Sequence, residues 1–132
     1  MNEISQVFKK HLQPNKDKFY LYCSISFFTI WMLCKGPLRW SVKSDDIVIL
    51  YFMGVAPNFF AAITFMFWQT YTMTSKIVIS FVCVMIVLAT GELLQKIIPN
   101  QTADAADIYA SFAGCFIAAI IIKLRMKSSG KQ

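Results

Sequence analysis

From Ile47 to Tyr71 the chain runs for 25 residues without a charged side chain. As a helix this run is about 37 Å long, more than the roughly 30 Å hydrocarbon core of a bilayer. It excludes an ordinary water-soluble globule, because no solvated face can be built along it. Three further apolar blocks keep it company. The first spans Phe19 to Cys34 between Lys18 and Lys35, and the third is uncharged from Ile77 to Gly91. The helical pattern of the third continues through Glu92 and Gln95 to Ile98, where Pro99 stops it; residues 99–106 form a loop, and the fourth block covers Asp107 to Lys123.

The first block is the shortest. Its 16 residues rise only about 24 Å, so the flanking lysines are expected to snorkel and complete a span. A cleaved signal is the competing reading, but no small-x-small site follows the block and Leu33 before Cys34 does not suit a lipoprotein signal. Composition agrees with the blocks: 57% of residues are hydrophobic and 15% are charged, against about 25% charged in soluble domains. The expected fold is therefore all-α, a polytopic membrane protein built as a bundle of four transmembrane helices over residues 17–125. Residues 1–16 form an interfacial N-terminal segment. Within it Ile4, Val7, Phe8 and Leu12 fall at helical spacing opposite Lys9 and Lys10, as in a short amphipathic helix at the membrane surface; a solvated tail is the alternative. Residues 126–132 form a basic tail.

The charge is +6, yet the basic residues fringe the apolar blocks and make no interleaved patch, so a membrane and not a nucleic acid is the expected partner. Nine Lys and Arg lie in the N-terminal tail, the second loop and the C-terminal tail, and four lie in the other two loops. With four spans this bias places both termini in the cytoplasm and turns the loops 35–46 and 92–107 outward. Cys23, Cys34, Cys83 and Cys115 lie in or beside apolar blocks and behave as small hydrophobes. With His11 the sole histidine and no C-x-x-C pair, no Cys/His metal site and no cofactor are expected, and outward Ser/His or metal-based catalysis is disfavoured. The triplet Asn100-Gln101-Thr102 matches a glycosylation sequon, a pattern too common to weigh.

Two places inside the blocks carry polar chemistry. Pro57 and Asn58 sit in the middle of the second block, where proline removes a helix hydrogen bond and a kink is expected; Asn58 then either bonds a neighbouring helix or marks a broken, transport-type helix. Glu92 lies about 22 Å above the inner boundary on the third helix and Asp107 about 24 Å above it on the fourth. Acids at one depth beneath the outer surface form a candidate site, with Gln95 one turn above Glu92 and Ser111 one turn below Asp107. Alternatively Glu92 pairs with Lys96 and Asp107 caps its helix. Ala110, Gly114 and Ala118 recur every fourth residue beside Ser111, Cys115 and Ala119, a stripe that lets backbones approach and marks the fourth helix as the packed centre of the bundle.

Over residues 92–114 the chain resembles the VanZ-like family of small bacterial membrane proteins. Glu92, Gln95, Pro99, Asp104, Asp107 and Gly114 stand in the order and spacing of that family's signature hairpin, and Ala56-Pro57-Asn58-Phe59-Phe60 is similar to a segment of some members. Two positions depart: the family arginine falls near Gln101 and the family asparagine on Ser111. Arg39 or Lys43 of the first outer loop is the expected substitute for that arginine, so the expected binding set is Glu92, Gln95, Asp104, Asp107, Ser111 and Arg39. The resemblance implies a protein of the bacterial inner membrane and cell envelope, in a family named for a member linked to glycopeptide resistance, with no catalytic mechanism supplied. The expected role is non-enzymatic: modulation of the envelope through an outward acidic site that binds a cation, a lipid headgroup or a lipid-linked envelope precursor. The alternatives are an accessory subunit of a larger membrane complex and a small proton- or cation-coupled transporter, either of them open to working as a homo-oligomer.

Overall fold

The computed structural model describes residues 15, 17–41, 46–73, 76–95, 97 and 104–130, apart from the Arg39 side chain. Five helices account for the regular structure among them: α1 (Lys18–Lys35), α2 (Pro37–Ser41), α3 (Ile47–Thr72), α4 (Ile77–Gln95) and α5 (Ala105–Ser128). The expected amphipathic helix of the N-terminal segment, Lys43 and Lys96 lie outside the described residues.

Aspartate starts the helices at the places where free backbone N–H groups need an acceptor. Asp17 accepts from the Phe19 N–H at 3.1 Å, Asp46 from Val48 at 2.8 Å, and Asp104 from Ala106 at 2.9 Å. The last of these corrects a boundary. The fourth long helix begins at Ala105, not at Asp107, because Asp104 takes the cap and leaves Asp107 in the first turn, where the helix dipole favours a carboxylate. The same helix runs past Lys123 to Ser128, so residues 126–128 of the expected tail are helical. Pro37 to Ser41 forms the unexpected α2, with proline suited to the first helical position.

Three helices are long and apolar enough to cross a membrane: α3, α4 and α5, with mean hydropathies of 1.9, 2.5 and 2.0 over their best windows. Among the described residues, these three carry the transmembrane character expected of the chain. The 18-residue α1, with a lysine at each end, is not among the three. Exposed Ile, Val, Leu and Phe side chains cover the outer faces of α3, α4 and α5, as a lipid solvent requires.

The centre of the bundle is α3, not the last helix as the small-residue stripe suggested. It packs against α1, α4 and α5, and α4 also packs against α5. Its two interfaces differ in chemistry. Toward α1 it is aromatic: Phe67 stacks on Tyr20 and on Phe27, at 6.4 and 6.0 Å between centroids, and Phe60 stacks on Phe27 at 6.3 Å. Ser24 adds a hydroxyl bond to the Thr64 carbonyl across the same interface. Toward α5 the contact is made of small residues. Gly114 packs directly on the Phe59 carbonyl and on Ala62, and Ala118 and Cys115 are fully buried below it. Lipid tails are as apolar as leucine, so such packing, and not apolar burial, holds helices together in a membrane.

One end of the bundle is fastened by polar contacts. The Asn15 N–H donates to the Tyr71 carbonyl at 2.8 Å, which sets the start of α1 beside the end of α3. Arg125 of α5 reaches the same place, its Nε 3.4 Å from Asp17 Oδ2 and its guanidinium 4.9 Å above the Phe19 ring. These contacts make α1 antiparallel to α3, and α3 parallel to α5. Because the arginine side chain is 41% exposed, solvent screens the pair. Arg125→Ala should therefore cost only about 0.5–1 kcal/mol in a detergent unfolding titration. A loss several times larger would mean that this clasp holds the bundle together.

Candidate functional site: a buried carboxylate at a three-helix junction

The apolar core is densest toward the Arg125 end, where Phe67, Met66, Ile63, Ala62 and Ile122 are almost wholly buried and the hydroxyls of Ser24, Thr64, Thr70 and Ser80 are buried with them. The buried carboxylate lies toward the opposite end, where α3 and α5 begin and α4 finishes. There Glu92 is only 5% exposed and Ser111 only 2%, and Pro57 of α3 is buried.

Glu92 is held by two amides. Asn58 Nδ2 of α3 donates to Glu92 Oε1 at 3.0 Å, and Gln95 Nε2, one turn further along α4, donates to the same oxygen at 3.0 Å. The other oxygen, Oε2, is buried and has no hydrogen-bond partner among the described residues. Asp107 stands in the first turn of α5 at the same end of the bundle, three residues after the Asp104 cap. A buried carboxylate oxygen with no donor is costly, by about 1–3 kcal/mol or more for a charged group. Half of Glu92 is thus built into the fold, and half is open to a donor.

Helix geometry explains why these residues meet. Glu92 lies about 22 Å along α4 from Ile77, and Asn58 lies about 21 Å along α3 from Thr72 at the same end of the bundle. Asn58 follows Pro57, whose ring nitrogen has no hydrogen to give the Met53 carbonyl. The helix nevertheless runs unbroken from Ile47 to Thr72, so the broken-helix reading does not apply. The alternative stated for Asn58, a bond to a neighbouring helix, is what the structure contains.

Of the expected site residues, Glu92, Gln95 and Asp107 come together at this junction, and Ser111 is buried one turn along α5 from Asp107. Gln95 donates to Glu92 from one turn along α4. Asp104 serves its own helix as the N-cap and is exposed. The backbone of Arg39 lies in α2, and its side chain lies outside the described residues. Gly114 and Ala118 are buried in the α3 seam, whereas Ala110 is half-buried. The residue missing from the expected binding set is Asn58, for which a bond to a neighbouring helix was expected but not with Glu92 as its acceptor. The arithmetic of helix rise that paired Glu92 with Asp107 places Asn58 at the same depth.

Two apolar grooves flank Trp68, one of about 310 Å³ lined by Ser24, Ile25, Phe28 and Thr64, the other of about 290 Å³ lined by Gln69, Thr72, Cys83 and Val87. Neither touches the carboxylates. Among the described residues no group of three or more His, Cys, Asp and Glu side chains could enclose a metal ion. No family model matches the chain, and neither a curated protein nor a solved structure is significantly similar to it.

Proposed function

We propose that this is a VanZ-like integral membrane protein of the bacterial inner membrane, a non-enzymatic component of the envelope that binds an amphiphile or cation at Glu92. In this reading α1 is the fourth span, both termini are cytoplasmic, and the Glu92 end of the bundle faces outward. The basic fringe supports that orientation, since nine of the thirteen Lys and Arg belong to the N-terminal tail, the second loop and the C-terminal tail. The observation that carries the proposal is the half-satisfied carboxylate: a buried acid with one oxygen fixed by Asn58 and Gln95 and the other without a donor. Intramembrane acids of this kind are expensive and mark functional sites. The family reading itself rests on the resemblance across residues 92–114.

The apolar layer of Phe67, Met66, Ile63 and Ile122 below the site favours binding from one side over passage through a single chain. Glu92→Ala and Asp107→Ala, expressed at the level of the natural protein, should alter glycopeptide sensitivity and envelope-stress signalling. Sensitivity and signalling indistinguishable from the natural chain would remove the functional role of the site.

A second reading, an accessory subunit or a homo-oligomer, is favoured by a separate observation. Every residue from Ile47 to Phe52 is exposed, so the first turns of α3 are uncovered on all sides. Purification at native expression levels decides this reading: a subunit co-elutes with a stoichiometric partner, and a self-sufficient protein does not.

A further inference from the structure

We infer that the Glu92 site recognises a single primary ammonium group, as carried by an aminated lipid headgroup, in preference to a metal ion. The inference rests on reading Glu92 as a ligand site and adds the chemistry of what binds there.

The first argument is the division of labour between the two carboxylate oxygens. Oε1 already accepts from Asn58 and Gln95, while Oε2 is buried without a donor. What completes the site must bring a donor hydrogen or a positive charge to Oε2. A metal ion demands many oxygens: calcium takes six to eight, and magnesium requires near-ideal octahedral geometry. The described residues hold no acid cluster of that size.

An ammonium group asks for three acceptors. Glu92 Oε2 is one, buried without a donor, and Asp107 and the buried Ser111 of α5 carry further acceptor oxygens at the same end of the bundle. A quaternary trimethylammonium has no N–H and leaves Oε2 as it was. The site therefore discriminates ethanolamine-type from choline-type headgroups.

The second argument is depth. Glu92 is three residues from the end of α4, about 4–5 Å along the axis. The 19-residue α4 is about 28 Å long, close to the roughly 30 Å hydrocarbon core, so Glu92 near its end lies close to headgroup level. Beneath it the α3–α5 seam is closed by Gly114 against Phe59 and Ala62. A headgroup can enter from the near surface, with its acyl chains remaining in the surrounding lipid.

The test is native mass spectrometry of the purified full-length protein, released from detergent in an equimolar mixture of phosphatidylethanolamine, phosphatidylcholine and phosphatidylglycerol. Retention of phosphatidylethanolamine over phosphatidylcholine should be about tenfold, the scale of one charge-assisted hydrogen bond. Glu92→Gln, which keeps the shape of the side chain, should abolish the preference, and Asp107→Asn should weaken it. If Glu92→Gln does not fold, the natural protein and Asp107→Asn still decide the matter. Competition by millimolar free ethanolamine would make the ligand a soluble amine, and its failure to compete would make the ligand a lipid; both support the ammonium chemistry. Equal retention of the ethanolamine and choline lipids overturns it, as does a preference that survives both substitutions, or Glu92-dependent displacement of the lipid by magnesium. A lost preference with an intact Glu92→Ala phenotype would overturn the ligand assignment alone. A clear preference with no phenotype would instead overturn the proposed function.

Discussion

Gly114→Val should detach α5 from α3 and cost about 3 kcal/mol, near the top of the range for overpacking a close-packed interior. A methyl group at this position would meet the Phe59 carbonyl oxygen head-on and stand 3.0 Å from Ala62 Cβ. Neither neighbour can yield easily. The first belongs to the backbone of the central helix, and the second is a short side chain with no rotamer to change. Without a hydrophobic force drawing helices together inside lipid, that loss of close approach is not offset elsewhere. The comparison is internal to the molecule, because a Cβ at Gly54 meets nothing within 4 Å. Gly54→Ala should be neutral or gain about 0.5–1 kcal/mol from helix propensity. Detergent unfolding titrations followed by tryptophan fluorescence measure both. Equal stability of the two variants would show that α5 does not lie on α3 in this register.

The second large effect is a double-mutant cycle at the carboxylate. Asn58→Leu removes one of the two donors to Glu92 Oε1 and leaves the buried acid with Gln95 alone, which should cost about 3 kcal/mol. Glu92→Leu removes the acid and leaves Asn58 and Gln95 without their acceptor, at about 1–3 kcal/mol. Changing both to leucine leaves only the half-buried Gln95 without its acceptor, so most of the loss should return. The coupling expected from the cycle is about 2 kcal/mol, well above the tenths expected of residues that do not touch. Additive single effects would mean that the two side chains are not partners.

Much of this architecture was legible in the chain, and the reasons are physical. Uncharged runs longer than a bilayer leave helices as the economical solution, and α3, α4 and α5 follow the second, third and fourth runs. The stripe through Gly114 and Ala118 faces inward as expected. Yet a stripe identifies an interface and not which of its two helices lies at the centre. The deciding residues were on the other side: Ala61 and Ala62, bracketed by Phe60 and Phe67, let one helix offer a small face to α5 and an aromatic face to α1. The start of α5 was ambiguous for a similar reason. Asp104 and Asp107 are both competent caps three residues apart, and only the backbone decides which one precedes the first turn.

The site was half legible. Carboxylates are conspicuous in an apolar sequence because their burial is so costly, and Glu92, Gln95 and Asp107 were found on that signal. For Asn58 the sequence offered a bond to a neighbouring helix, but not which helix or which acceptor. Equal depth was the overlooked clue. Side-chain rotation about each helix, which decides whether residues of equal depth meet, depends on packing that no single segment encodes.

The central claim is that Glu92 is clasped by Asn58 across the α3–α4 interface within the bilayer. Solid-state NMR of the full chain in lipid vesicles, with glutamate labelled by ¹³C and asparagine by ¹⁵N, measures this distance. Glu3→Gln leaves Glu92 as the sole labelled glutamate. The Oε1 to Nδ2 separation of 3.0 Å places the carboxyl carbon within about 4 Å of the Asn58 amide nitrogen. Strong dephasing of the Glu92 carboxyl signal, lost in Asn58→Leu, is the predicted result. An undephased carboxyl signal in the folded protein would contradict the account.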